Sequence, residues 1–507
     1  MNKVLSLLFF LLLFAPLHAQ VVTYPAPQGA ELKQDFTVEV RQGTGPWRAV
    51  DTYAVKVDEV RGTKHCVELA SLAYFDFEGR VQIRVTSHKG MIDQVRVRPL
   101  SYGIRAEVAD SVLTFSLDRP RNLSVEVNGD IFHNLHLFAN PIDWNNPLLA
   151  KGASAKGLAR QMQRVMELQP RLYRTDAAQR AKLKHRYPEV LYFGPGVHHL
   201  PGDTLDVPSD RTVYIAGGAR VYGQIRVKNV RNVKVLGRGI VHPKGRGEGV
   251  YIMNSKNVDV EGIISTQVPV GGSDSVRVRN VKVISSYGWG DGLNVFASNN
   301  VSYDGCFART SDDCTTVYAT RKGFTGGCRN ISMRRSVLWA DVAHPIFIGL
   351  HGNVPHPDTI EDVLYQDIDI LDHAERQINY QGCLSINAGD NNLVRRIRFE
   401  NIRIEDFRRG QLFQLRIFYN KKYCQAPGRG IEDVLFKDIT YTGTGEEMSL
   451  IIGYNEERKV KNVRFENLKV NGKVISDDMP DKPKWYATGD MARIFVGEHA
   501  ENVTFTK

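Results

Sequence analysis

Past its first two dozen residues the chain has no apolar run long enough to span a membrane. It also lacks any stretch in which Lys and Arg interleave with aromatics, which argues against a nucleic-acid surface. That absence matters because the formal net charge is +10 and the pI about 9.1. Such a balance either spreads Lys and Arg over solvated strand faces or draws in acidic polymers. Six cysteines (Cys66, Cys306, Cys314, Cys328, Cys383 and Cys424) have no spacing suited to a structural zinc. Cys306, Cys314 and Cys328 fall on consecutive repeat units, so one local disulfide and packed free thiols are both open. From residue 190 onward a helical pattern is missing too. What remains is a chain of 507 residues, 42 % apolar and 24 % charged, which reads as soluble, globular and too long for one ordinary domain.

Residues 1–19 have Lys3, an unbroken apolar run from Val4 to Ala15, and Leu17-His18-Ala19 before Gln20. Length, flanks and small-residue exit are those of a signal peptide, so the mature protein is expected in a periplasm or beyond it. Residues 20–145 carry short alternating segments rich in β-branched residues, among them F-T-V-E-V (36–40), T-Y-A-V-K-V (52–57), V-Q-I-R-V (81–85), V-L-T-F-S-L (112–117) and L-S-V-E-V (123–127). Close spacing with turn residues between predicts an antiparallel β-sandwich, with V-N-G-D-I (127–131) as a hairpin turn. A-N-P-I-D-W-N-N-P (139–147) breaks this pattern, and helix formers dominate between Ser154 and Arg186. Residues 146–188 are therefore expected to be a linker with one or two short helices.

At Val190 the text changes. Phrases such as V-R-N-V-K-V-L-G (230–237), S-K-N-V-D-V-E-G (255–262), V-R-N-V-K-V-I-S (278–285), I-E-D-V-L-F-K-D (431–438) and V-K-N-V-R-F-E-N (460–467) recur to the C-terminus. Each is a polar turn followed by a strand with an alternating apolar face. Units that cannot bury that face alone must stack on their neighbours. With strands and no helices, the stack is a parallel β-helix over residues 189–507. A propeller would need about four strands per blade at a steadier period.

Within this domain one stretch concentrates the chemistry. Trp289 to Asp313 holds Asp291 and the adjacent Asp312 and Asp313, with one repeat unit between. Strands of neighbouring coils sit about 4.8 Å apart, so Asp291 and Asp312 are expected to face each other across one rung. Inverting glycoside hydrolysis needs a protonated acid and a carboxylate about 6.5–9.5 Å apart, and one rung plus side-chain reach is compatible with that. Clustered carboxylates repel, so at least one should keep its proton. Neighbours on a regular strand point to opposite faces, so Asp312 and Asp313 share a site only if the chain turns or bulges there. Carboxylates on adjacent rungs could instead bind Ca²⁺.

W-G-D-G-L-N-V, T-S-D-D-C and A-H-P-I-F-I-G-L-H-G (343–352) resemble three successive signatures of glycoside hydrolase family 28, the polygalacturonase family: N-T-D-G, then D-D, then G-H-G followed by S-I-G-x-x-G. The resemblance covers residues 190–505, with Gly349 and Gly352 on the downstream glycines. A sandwich ahead of the coil is more similar to family 49, the dextranase and isopullulanase group. The resemblance implies an all-β protein, a right-handed parallel β-helix behind an N-terminal antiparallel β-sandwich. It implies Asp312 as general acid, Asp291 and Asp313 on the attacking water, and His344 beside the acid; Pro345 after His344 departs from the family's glycine. Trp289, Tyr287, Tyr318 and Trp339 are candidates for sugar stacking, with His351 as a further substrate contact. The family's R-I-K triplet has its nearest counterpart in G-C-L-S-I-N-A-G-D-N (382–391), without a cation, which argues against an ordinary polygalacturonate reader. Arg376, Arg416, Lys421 and Lys422 could supply charge from loops. The expectation is a monomeric enzyme acting on a polysaccharide or oligosaccharide with no cofactor and no metal; a β-helical lyase and a non-catalytic carbohydrate-binding β-helix are the alternatives.

Overall fold

The computed structural model describes residues 20–172, 176–245, 247–286, 288–378, 380 and 382–507. The expected signal peptide (1–19) and Tyr287 lie outside the described residues. The chain is all-β: a six-stranded and a five-stranded sheet precede one 30-stranded parallel system. Phe36, Val38 and Ile83 of the smaller sheet pack on Phe75, Leu123 and Leu137 of the larger, so the two form a sandwich with one core. Alternation located its strands well, as in Phe36–Arg41, Val81–Ser87 and Val112–Leu117. At the 127–130 turn Asn128 and Gly129 both take positive φ, 55° and 77°, the conformation a two-residue hairpin needs. Two long strands had no alternating text to betray them, Lys64–Glu78 and Asp130–Pro141. They pair in parallel at the centre of the sheet and are covered on both faces, which replaces alternation by a continuous buried run.

The parallel system winds as a β-helix. Val233, Val258, Val276, Val301, Ile331, Val363, Ile397, Val434 and Val463 lie in one register line, which is what the recurring phrases encode. Toward the C-terminal end the same core is aromatic, with Phe399, Phe436, Phe465 and Phe505 stacked at 4.9, 4.8 and 4.7 Å. The asparagine of the phrase sits at the corner in left-handed conformation, as at Asn232 (φ 55°) and Asn257 (φ 56°), and Asn257 donates to Asn232 at 2.8 Å. One phrase is out of phase. V-R-N-V-K-V-I-S (278–285) reads like the others, yet the strand in line is Asp274–Arg279, with Val276 paired to Val258. Residues 282–285 belong to the next face, stacked on Ile264 and Ser265. Similar text served two faces because each needs only an inward alternate apolar side chain.

Helices Ala155–Leu172 and Ala177–His185 precede the coil, and Met162 and Val165 join its core over the first strands. The sandwich lies against one coil face, where Tyr53, Leu72, Tyr74 and Phe138 meet Ile240, Ile264, Ile284, Phe307 and Trp339. Charged groups are buried in that junction and paired: Arg238 with Asp76 at 3.0 Å, Arg98 with Glu405 at 2.7 Å, and Arg309 with Asp341 at 2.9 Å. All six cysteines are free thiols, so the local disulfide is not formed. Among the described residues, no helix is long and apolar enough to cross a membrane.

Candidate active site

The three aspartates come from two successive turns at one corner of the coil. Asp312 and Asp313 lie in the turn between strands Phe307–Thr310 and Thr315–Tyr318, which lets neighbours in sequence serve one site. Main-chain bonds lock this turn to the turns before and after it. Asp312 N–H donates to Gly290 O at 3.1 Å, Gly292 N–H to Asp313 O at 3.0 Å, and Cys314 N–H to His344 O at 2.8 Å. The pairing of Val295 with Val317, carried back along both chains, sets Asp291 opposite Asp313 rather than opposite Asp312. Gly292 is needed here, because a Cβ would come within 2.3 Å of Cys314 O.

One carboxylate oxygen from each of Asp291, Asp312 and Asp313 lies within 4.8 Å of the others. These spacings are tighter than the gap expected from one rung plus side-chain reach. Burial is the largest influence on both Asp291 and Asp312, and mutual repulsion adds to it. Asp291 is pushed up to about 6, with Asp313 raising it and Lys322, Asn294 and Arg321 opposing. Asp312 rises well above the ordinary carboxylate range, with Asp291 and Asp313 adding to burial. The cluster therefore keeps a proton on Asp312. Its oxygens could also surround a divalent cation, a use that the nearby cations Arg321 and Lys322 oppose.

Asp313 is 6 % exposed and heavily bonded. Its Oδ1 accepts from His344 Nδ1 at 2.7 Å and Oδ2 from the Tyr318 hydroxyl at 3.1 Å. The other ring nitrogen of His344 faces the Tyr380 carbonyl. An acceptor on each side suits the doubly protonated ring, in which both nitrogens donate. Burial pulls the other way, but Asp313, Glu375 and the Tyr380 carbonyl outweigh it and raise His344. His344 thus pairs with Asp313, the neighbour of the acid beside which the resemblance puts it.

The cluster opens on a cleft of about 400 Å³ whose lining includes Trp289, Tyr318, Arg321, His351, Glu375 and Lys422. Trp289 is 52 % exposed and available to a sugar ring. Tyr318 is buried, edge-on to His351 at 5.0 Å, and its visible role is the bond to Asp313. His351 is pulled down to about 3, by burial first and then by Arg321 and Lys322, so it presents a neutral ring. Trp339 is not at the site. It is 0 % exposed in the sandwich–coil junction, with the Arg309 guanidinium 3.9 Å from its ring centre, and cannot meet a sugar. Of the loop cations, Lys422 reaches the cleft, whereas Arg376 donates to Val60 O and Gly62 O of the sandwich. Arg321, Glu375, Tyr380 and Tyr423 were not anticipated. They sit on inserted loops whose text carries no repeat, so only Arg321, three residues after Tyr318, had a positional signal.

Stacked parallel coils with a carboxylate cluster at one corner define a β-helix protein of the carbohydrate-active type. A family model described as "Glycosyl hydrolases family 28" matches residues 223–483, and the chain belongs to that family. A polygalacturonase from Juniperus ashei is 26 % identical over 222 residues, which is 40 % of this chain and 39 % of that protein. Among solved structures, Dex49A from Penicillium minioluteum aligns over 95 % of this chain and 96 % of its own, with 12 % identity and a TM-score of 0.60. That likeness extends through the sandwich as well as the coil, and at such identity it concerns the fold alone.

Proposed function

We propose that this is an exported glycoside hydrolase cleaving an O-glycosidic bond of a polysaccharide by single displacement with inversion. Asp312 is the acid; Asp291 and Asp313 hold and deprotonate the water. The observation that carries this reading is the raised Asp312 carboxyl at the edge of an open cleft. A carboxyl that keeps its proton near neutral pH can protonate the leaving oxygen as the glycosidic C–O bond breaks. The water's oxygen joins the anomeric carbon and its proton passes to Asp291 or Asp313. Oxygens no more than 4.8 Å apart can share one water at hydrogen-bond lengths of about 2.8 Å each. Asp291, at about 6, is ionised at neutral pH, and His344 and Tyr318 fix the orientation of Asp313.

Arg321 and Lys422 supply cleft cations that strand Gly382–Ala388 lacks, which favours a uronate-containing glycan over a neutral glucan. Export rests on residues 1–19. The close spacing of the carboxylates favours a second reading, double displacement through a glycosyl ester, because retaining enzymes hold their carboxyls about 5–5.5 Å apart.

A panel of polygalacturonate, branched pectic polysaccharides and dextran tests the proposal, with products read by mass spectrometry and early anomeric NMR. The expected products gain one water at a new reducing end of inverted configuration. Retained configuration selects the second reading. Unsaturated, ultraviolet-absorbing ends, or turnover surviving in Asp312→Asn, would overturn hydrolysis by this acid.

A further inference from the structure

The hairpin formed by sandwich strands Tyr53–Arg61 and Lys64–Glu78 reaches across to both loops that flank the cleft. Asp58 is 0 % exposed. Its Oδ2 accepts from Gly288 N–H at 2.8 Å and contacts His65 Nδ1 at 3.0 Å, while its own N–H donates to Asp341 at 3.3 Å. The His65 ring stands edge-on to Trp289, centroids 4.8 Å apart. At the hairpin tip, the carbonyls of Val60 and Gly62 take the Arg376 guanidinium, next to Glu375 of the opposite wall.

Trp289 has φ 62° and Gly288 φ 59°. Left-handed backbone is uncommon for a bulky side chain and persists only where surroundings impose it. Asp58, through the Gly288 N–H, and His65, through ring contact, are those surroundings. Glycine suits position 288, since its φ of 59° disfavours other residues and a Cβ there would lie 3.2 Å from His65 Cγ, a tight contact.

We infer that Asp58 and His65 of the sandwich are positioning residues for the cleft: they hold the exposed Trp289 indole in the pose that receives a pyranose ring next to the bond being cut. The sandwich is then a working part of substrate binding and not only a cover for one coil face. This rests on the hydrolase reading above for the identity of the site. It predicts an effect on substrate affinity, because a stacking platform that takes no part in the proton transfers binds ground state and transition state alike.

The test compares the full-length wild type with His65→Ala, His65→Phe and Asp58→Asn, each checked by circular dichroism and melting temperature. KM and kcat are measured on the best substrate of the panel. Dissociation constants for polygalacturonate- and dextran-derived oligosaccharides are measured in the Asp312→Asn background. His65→Ala should raise KM and Kd about tenfold with kcat within about twofold, and His65→Phe, which keeps the edge contact, should recover most of the loss. Asp58→Asn keeps an acceptor for Gly288 N–H and should fall between them. Unchanged KM and Kd in His65→Ala overturns the inference, as does a loss in kcat alone or a loss that phenylalanine does not rescue. Failure of the hydrolase reading shows separately, as wild type that cleaves nothing; the Kd series then decides the inference, and a wild type that binds neither oligosaccharide set overturns it.

Discussion

A fully buried and a partly buried acid at the same corner of the coil illustrate how burial becomes structure in one place and chemistry in another. Asp341 and Asp312 are both raised by burial in the first instance. Asp341, under the sandwich, meets Arg309 in a two-oxygen, two-nitrogen pair in which both side chains are fully buried. Asp312, one coil earlier and at the edge the sandwich leaves open, meets two more carboxylates and no guanidinium pair of that kind. A buried charge with a well-oriented partner is neutralised and fixes the fold. One whose neighbours share its sign keeps a proton it would otherwise give up. The missing countercharge, more than the burial, marks the site.

The sharpest break of this comparison comes from Asp312→Asn, which should lower kcat about 10²- to 10⁴-fold, the range for losing a general acid, while the protein stays folded. Steady-state kinetics with a melting curve reads both halves. Arg309→Met should do the reverse. It removes the guanidinium that pairs Asp341, leaving only the Asp58 N–H at 3.3 Å and Arg408 at 4.0 Å, and is expected to cost about 3–5 kcal/mol of stability, seen in urea unfolding, with any loss of activity following loss of folded protein.

Asp291→Asn sharpens the contrast through pH. Asp291 is raised from 3.8 to about 6. A carboxyl raised in the fold contributes stability that is fully present below its unfolded value and lost as pH rises through the folded one. Replacing it should therefore stabilise the protein near neutral pH by up to about 3 kcal/mol, at about 1.4 kcal/mol per unit, and the gain should vanish at about pH 4. The same group predicts an acidic limb near 6 in kcat/KM of the wild type. A variant at Asp341 leaves Asp291 in place and should therefore keep that acidic limb. The smallest effect belongs to the two tryptophans: Trp289→Ala should raise KM about tenfold at nearly constant kcat, whereas Trp339→Phe should leave KM unchanged and lower stability by about 1–2 kcal/mol through lost packing.

Much of this was legible in the chain. The phrase of polar turn plus alternating apolar strand named the coil. Asp291, Asp312 and Asp313 could be grouped because a repeat returns the chain to the same edge. Trp339 could not be separated from Trp289 by text: both are tryptophans near turns, and only the arrival of the sandwich on one coil face buries the first and leaves the second exposed. Lys64–Glu78 escaped for the same reason, since a strand covered on both sides loses the period that reveals it.

By itself, then, the sequence determined the stacked coil and the meeting of three acids at one corner, because local alternation and repeat length are properties of the chain alone. Which acid pairs with His344, which keeps its proton, which aromatic faces the cleft, and that a sandwich hairpin holds one wall were decided only by the tertiary structure. Those outcomes depend on distances between segments far apart in the chain, and charge repulsion and burial act through distance in space.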